Sequence, residues 1–560
     1  MNESSLYIVL QRMRLPFVVI LITYSIAITG LILIPGEDLE GNVYYMSIFD
    51  AFYFVTYTAT TIGFGEIPYP FTYYQKIWAS ISIYITVLGW FYGIGTLITL
   101  VQDKLFLSEI AITRFVRSVK NMKEDFVIVL GYNETTREII NRMLASKMRV
   151  VVIEISEQRA DYLRLEGFIP HVPILVKDAH NPKALVEAGI QLSNCKGIIS
   201  LFKSNALNLR ITLSSKLLNP YINVVVKSTT KEETKNLLDV GADIVDNPFV
   251  IISSYMQMAL NAPSIFKLES WLYQTNNLES KTFSIPDNNI IICGYGRLGA
   301  SLFEMFKNNN VIPTVIEIDE TKVATAKHLG VSNLIHGDAD NHLYLDEANI
   351  QEAKLIIIAT DNDTTNLSIL SRIKRVNAKA IVVAIENEIT DFSIFSHAKI
   401  DQLYIPQRIL IHKITNAISN PLSDMMIEII INKDEQWGQK LLLKLMKTIG
   451  INPIAYELNI TKEESIEIYK YLQDKNETLE LGTLKASRRD RNQNNNIVPL
   501  LIKRGDEEIL LPEDSTPIQV NDKILLACDS NAIEDLEYIA NNVYEFQYII
   551  TGKEKKLFFR

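Results

Sequence analysis

Two short stretches of this 560-residue chain combine residue types and spacing that serve specific chemistry. The first is Thr61-Ile62-Gly63-Phe64-Gly65-Glu66. Its alternating glycines open backbone conformations that a side chain forbids. Consecutive carbonyls can then aim the same way and offer a stack of main-chain oxygens, with the Thr61 hydroxyl at one end. The second is Gly294-Tyr295-Gly296-Arg297-Leu298-Gly299, directly after the apolar run Ile290 to Cys293. An acid, Glu317, follows at the end of the next apolar run. This is G-x-G-x-x-G in the setting that dinucleotide binding requires. Gly294 makes the turn, Gly296 lets the backbone approach a phosphate, and Gly299 lets helix and strand pack closely. The helix N-terminus offers free N–H groups to an anion. Arg297 can pair a phosphate. Glu317 can accept from ribose hydroxyls and would repel a 2′-phosphate, so NAD(H) or an ADP/AMP-type nucleotide is favoured over NADP.

The elements that must position the first stretch are apolar. Leu15 to Gly36 and Ile77 to Gln102 carry no charge. Each exceeds the roughly 20 residues that a helix needs to cross the hydrocarbon core. Both are expected to be transmembrane helices, the first retained rather than cleaved as a leader. Between them Ala51 to Gly65 is also uncharged but too short to span, which predicts a re-entrant segment that starts near Asp50. Arg12 and Arg14 precede the first span, and Lys104, Arg114, Arg117, Lys120 and Lys123 follow the second. The loop between carries five acids against Lys76. Positive-inside bias puts both chain ends in the cytoplasm of a multi-pass protein of the cell membrane. Tyr69, Tyr73, Tyr74 and Trp78 fit an outer aromatic belt.

Helix, re-entrant segment, T-x-G-[YF]-G and helix together resemble the two-helix potassium channels. The resemblance implies a selectivity filter at Thr61, Ile62, Gly63, Phe64 and Gly65, whose carbonyls replace the hydration shell of K+. Ile62 and Phe64 would pack behind it. Four copies must meet on one axis, so a homotetramer in the lipid bilayer is implied. Phe64 stands where Tyr is commoner and Glu66, at the outer mouth, where Asp is. A weakly selective cation channel is the alternative reading. Gly89 and Gly93 in the second helix are either a gating hinge or a seat for close helix packing.

The rest of the chain repeats. Gly131 and Gly294 stand 163 residues apart, Glu154 and Glu317 again 163, Asp178 and Asp338 160, and Pro248 and Pro406 158. A slowly drifting offset means two copies of one domain. Each copy alternates short β-branched runs with helical segments, which predicts a Rossmann-like parallel sheet twice. In the first copy Asn133 and Thr136 stand at the positions of the second and third glycines, which favours a unit without dinucleotide.

Both copies resemble the RCK domains that regulate potassium conductance. The resemblance rests on His336-Gly337-Asp338-Ala339-Asp340 and Ile358-Ala359-Thr360-Asp361-Asn362-Asp363, and places Asp338, Thr360 and Asp361 beside the adenosine. It implies helical arms at Asn247–Tyr273 and Pro406–Ile431, with Met256, Met258, Leu260 and Phe266 as their apolar surface, and a β-rich C-terminal lobe at Asn496–Asp529. Eight such domains would form a cytoplasmic ring that pulls on the pore through the linker. Calcium is a further candidate ligand, at Glu386, Glu388 and Asp391, where some RCK domains hold it.

The fold expected is an α-helical membrane pore of two transmembrane helices and a re-entrant loop, joined to two α/β Rossmann-like RCK domains with a C-terminal α+β lobe. The boundaries are 1–104 for the pore, 105–125 for the linker, 126–284 and 285–432 for the two RCK domains, and 433–560 for the lobe. A net charge of −10 speaks against nucleic acid as a partner. The three cysteines lie far apart, without metal-ligand spacing. No arrangement of His, Lys or Tyr beside either Rossmann unit points to an enzyme, so a tethered dehydrogenase is the lesser reading.

Overall fold

The computed structural model describes residues 3–279, 285–286, 288–387, 392–398, 400–474 and 478–553. The chain divides into two compact units, Met1–Met122 and Lys123–Arg560.

The first unit holds helices α1 (Glu3–Leu33), α2 (Ile48–Ala59), α3 (Tyr73–Gln102) and α4 (Lys104–Lys120). Met13–Leu33 and Tyr73–Gln102 are long and apolar enough to cross a membrane. Their polarity is inverted relative to a water-soluble helix pair. Gln75, Ser82 and Thr86 of α3 are buried, while Leu21 and Ile22 of α1 and Leu88 and Phe91 of α3 are exposed. Small and polar side chains turned inward, with large apolar ones outward, suit a lipid surround. Arg14 lies within α1 rather than before it, because the helix starts at Glu3 and runs into the apolar span without a break. Pro35, just past its end, cannot continue it. Trp78 packs on α1. Its indole N–H donates to the Ala27 carbonyl at 3.1 Å, and a Cβ on Gly30 would lie 2.0 Å from its ring.

The second unit contains two parallel six-stranded sheets. The first has β1 (Phe126–Leu130), β2 (Arg149–Glu154), β3 (Ile174–Val176), β4 (Cys195–Ser200), β5 (Asn223–Lys227) and β6 (Ile244–Asp246) in the order β3-β2-β1-β4-β5-β6. Helix α5 (Glu134–Ala145) follows β1. The second has β7 (Ile290–Cys293), β8 (Thr314–Glu317), β9 (Leu334–His336), β10 (Leu355–Ile358), β11 (Ile381–Ile385) and β12 (Gln402–Tyr404) in the order β9-β8-β7-β10-β11-β12. Central strands such as Phe126–Leu130 and Leu355–Ile358 are buried throughout. Helices on both faces demand the continuous apolar runs seen in the sequence.

After each sheet come two helices, α6 (Pro248–Asn261) and α7 (Pro263–Leu272) in the first copy, α10 (Pro406–Ser419) and α11 (Pro421–Ile430) in the second. Proline at the first helical position starts all four. The arms are exchanged. Ile252 and Met256 of α6 share a core with Leu298, Leu302 and Phe306 of α8 (Arg297–Asn308), a helix of the second copy. Leu410, Ile411 and Ile414 of α10 share one with Ile139, Ile140 and Met143 of α5 in the first. Met258 and Phe266 join a third core with α11, and Leu260 packs on the α8 core.

Beyond the β-rich stretch at Asn496–Asp529, the C-terminal lobe holds a further strand and covering helices. Its antiparallel sheet adds Ile454–Asn459 to Ile497–Arg504, Glu507–Leu510 and Lys523–Cys528. Helices Ser530–Asn541 and Val543–Thr551 cover it.

Candidate functional sites: the pore segment and the nucleotide cleft

Ser47 caps α2: its hydroxyl accepts from Asp50 N at 3.1 Å and donates to the Asp50 carboxylate at 2.6 Å. The helix points its C-terminal carbonyls at the filter-like stretch. There the Tyr57 carbonyl accepts from both Ile62 N and Gly63 N, at 2.9 and 3.1 Å. Past that bend the backbone alternates. Thr61, Gly63 and Gly65 have φ of 62°, 68° and 76°, while Ile62 and Phe64 stay at negative φ. Positive φ at every second residue is the backbone freedom for which the glycines were read. A Cβ at Gly63 would touch nothing within 4 Å. Conformation, not space, therefore demands glycine. Thr61 adopts the same left-handed geometry at a cost on the order of 1–2 kcal/mol.

Ile62 and Phe64 do not pack behind the segment within one chain; they are 62% and 67% exposed. Two tyrosines of α2 brace it instead. The Tyr57 hydroxyl donates to the Glu66 carbonyl at 2.9 Å, and the Tyr53 hydroxyl to its carboxylate at 3.3 Å. Their spacing of four on the helix was the available signal. Helix α3 is continuous through Gly89 and Gly93. A Cβ on Gly89 would lie 2.8 Å from Thr23 Oγ1, and one on Gly93 2.9 Å from Ile20 Cδ1. Both glycines lie where α3 meets α1.

In the second Rossmann unit a cleft of about 300 Å³ opens over the C-terminal ends of β7, β8 and β9. It gathers Gly294, Gly296, Glu317, Asp338, Thr360 and Asp361 from four separate stretches of chain. Gly294 has φ 101°, and its Cβ would lie 2.8 Å from the Ala359 carbonyl. A Cβ on Gly299 would sit 2.0 Å from the Gly294 carbonyl, so the close approach of α8 to the turn requires glycine there. Glu317 is buried and already engaged. It accepts from Tyr295 N at 2.5 Å and Asp319 N at 2.8 Å. It thus holds the glycine turn in shape as well as facing the cleft.

Lys322, which the sequence reading passed over, supplies the cation of the cleft wall and pairs with Asp361 at 3.1 Å. Burial disfavours its ammonium, but the Asp361 hydrogen bond and the charges of Asp361, Glu317 and Asp319 together outweigh that and raise its pKa. Arg297 and Leu298 do not line the cleft. The Arg297 guanidinium stacks 4.6 Å from the Phe249 ring of α6 and borders a neighbouring cavity of about 480 Å³. Leu298 is buried in the α8 core. Burial also pushes the Cys293 thiol, on β7, up to about 12.

The first unit keeps the acid and lacks the opening. Asn133 caps α5: its side chain accepts from Thr136 N at 3.0 Å, and Thr136 Oγ1 accepts from Asn133 N at 2.8 Å. That capping box occupies the N–H groups a phosphate would use. Arg159 donates to Glu154 at 2.8 Å, and only about 80 Å³ remains. As for calcium, Glu388 and Asp391 lie outside the described residues. Glu386 is buried at the end of β11. No group of three or more His, Cys, Asp or Glu suited to a metal occurs among the described residues.

A doubled Rossmann unit with exchanged helical arms, a C-terminal lobe and one open cleft defines the tandem RCK class. The TrkA-N domain family matches residues 127–248 and 290–406, so the chain carries two TrkA-N domains. An uncharacterized protein of Methanothermus fervidus is 29% identical over 221 residues, 39% of this chain and 34% of that one. The chain therefore spans about a third of that relative's length. Potassium channel protein 1 of Methanocaldococcus jannaschii is 24% identical over 281 residues, 50% of this chain and 80% of that one. The solved GsuK channel bound to NAD shares the fold with a TM-score of 0.50 at 15% identity, covering 96% of this chain and 99% of that one. The chain is thus homologous to archaeal potassium channel proteins.

Proposed function

We propose that four copies of this chain form a potassium-selective channel in the cell membrane, gated by nucleotide bound in the second TrkA-N domain. Both chain ends face the cytoplasm in this reading. The observation that carries it is the alternating backbone of residues 61–65 at the end of α2. Exposed Ile62 and Phe64 side chains are then the surface that neighbouring subunits cover around a fourfold axis. The homology to a potassium channel protein supports the same ion. The NAD bound by the GsuK channel supports a nucleotide as the ligand class. Ligand acts by favouring one shape of the paired domains over another, with the 105–125 linker passing the change to the pore.

The test is potassium flux through the purified protein in liposomes, followed by single-channel recording with and without nucleotide. Absence of potassium current under every ligand condition overturns the pore. Equal open probability at zero and saturating nucleotide overturns the gating. A weakly selective cation pore, prompted by Phe64 and Glu66, is the second reading. The Tyr57 and Tyr53 hydroxyls on Glu66 supply bracing that Phe64 lacks and favour the selective one. Reversal potentials in mixed potassium and sodium separate the two.

A further inference from the structure

A dinucleotide on a doubly wound sheet straddles the point where strand order reverses. One nucleotide lies over the ends of the strands on one side, the diphosphate over the glycine turn, and the second nucleotide over the strands beyond. In the second TrkA-N domain the first half of that seat is open and the second half is shut. The open half is formed by the turn after β7 and by the ends of β8 and β9. Among the described residues, the cleft is lined from the other side by the stretch 359–365 that follows β10, and by none of β11 or β12.

What shuts the far half is a knot of polar side chains. Asp363, at the start of α9 (Asp363–Val376), accepts from Asn387 N and Asn387 Nδ2, both at 2.8 Å. Asn387 Nδ2 also donates to the Thr360 carbonyl at 3.0 Å. Gln407, in the first turn of α10, donates to the Asn387 carbonyl at 2.5 Å. These bonds tie together the three chain segments that follow β10, β11 and β12, across the place a second ribose and base would need. The carboxylate of Asp361 sits directly over the turn, 3.4 Å from where a Gly296 Cβ would be. It is held there by Lys322. An incoming phosphate takes the Asp361 position and inherits Lys322, and this needs only a side-chain rotation. A second nucleotide needs the whole knot to open.

We propose that this cleft is a single-nucleotide site, selective for a nucleoside mono- or diphosphate of the AMP/ADP class over NAD(H), with the Asp363–Asn387–Gln407 knot as the element that excludes the larger ligand. This rests on the reading of the cleft as a nucleotide site. The wall has one lysine and one helix N-terminus to meet the phosphates, which matches one or two of them.

The test is binding of AMP, ADP, NAD and NADH to the full-length protein by isothermal calorimetry, with displacement of a fluorescent ADP analogue as a second readout. ADP or AMP is expected to bind at least tenfold tighter than NAD or NADH. Asn387→Ala, which removes the side-chain bonds of the knot, is expected to narrow that gap by improving NAD alone. NAD binding as tightly as ADP to the wild-type protein overturns the single-nucleotide assignment and leaves the nucleotide site standing. Failure of all four to bind overturns the nucleotide site itself. Should the variant misfold, the wild-type affinities decide between these outcomes unaided.

Discussion

Replacing Glu269 by Gln gives a pH-dependent gain in stability whose size and sign follow from the structure. Glu269 lies on α7, 6% exposed, and its Oε2 meets no hydrogen-bond partner among the described residues. Burial pushes its carboxyl up to about 8 from the ordinary 4.5; Lys413 of α10 opposes this and Asp424 of α11 adds to it. Lys413 is itself tied to the buried Asp246 at 2.8 Å. The folded chain therefore keeps Glu269 protonated at pH 7, while the unfolded chain ionises it. The folded state binds more protons, so stability falls as pH rises from 4.5 and levels off above 8. At about 1.4 kcal/mol per pH unit, the wild type carries a penalty of up to about 3 kcal/mol at pH 7 relative to a neutral isostere. Thermal melts of the full-length protein and of Glu269→Gln between pH 5 and 9 read this directly. The variant should melt near the wild type at pH 5, and several degrees above it at pH 8. A gap independent of pH, or one that closes as pH rises, would refute the reasoning.

Three further substitutions probe the sites. Gly299→Ala puts a methyl group 2.0 Å from the Gly294 carbonyl; it should destabilise by about 2–4 kcal/mol and abolish the nucleotide-induced rise in melting temperature. Tyr57→Phe removes the hydrogen bond to the Glu66 carbonyl, worth about 1 kcal/mol, and should lower the potassium-to-sodium permeability ratio measured from reversal potentials. Asn133→Gly breaks the α5 cap at a cost of only a few tenths of a kcal/mol, yet should create no second nucleotide site by calorimetry, because the space beside it stays near 80 Å³.

The sequence was legible where a residue type is forced by geometry. Gly294 and Gly299 are irreplaceable for positive φ and for close approach, so the fingerprint could be read from one chain. The same held for Gly63 and Gly65. The repeat was visible because both sheets need buried β-branched strands in the same order. What stayed hidden depends on direction or on distant partners. Nothing local tells that Arg297 turns away from the cleft to stack on Phe249, more than forty residues earlier in the chain. Thr61 gives no sign of its left-handed backbone, because threonine rarely adopts it and only the bend over the Tyr57 carbonyl imposes it. Lys322 is one lysine among many until β8 and the stretch after β10 bring it to Asp361. The missing glycines of the first copy were plain, but not that Asn133 and Thr136 had replaced phosphate with a cap.

The exchange of arms gives each copy a structural part in the other. Helix α8 begins at the glycine turn of the cleft and shares a core with α6, an arm of the first copy. That arm adds Ile252 and Met256 to the core that holds Leu302 and Phe306, and burying such side chains is worth about 1.5–3 kcal/mol each. The first copy is thus part of the second copy's core, whatever it binds itself. The same helix whose start borders the cleft carries the contact between the copies, through the α6 core and the Arg297–Phe249 stack. A ligand that shifts α8 relative to the glycine turn must therefore also shift α6, because close-packed helices have few alternative fits. Coupling between cleft and domain pairing then needs no longer route than the width of one helix.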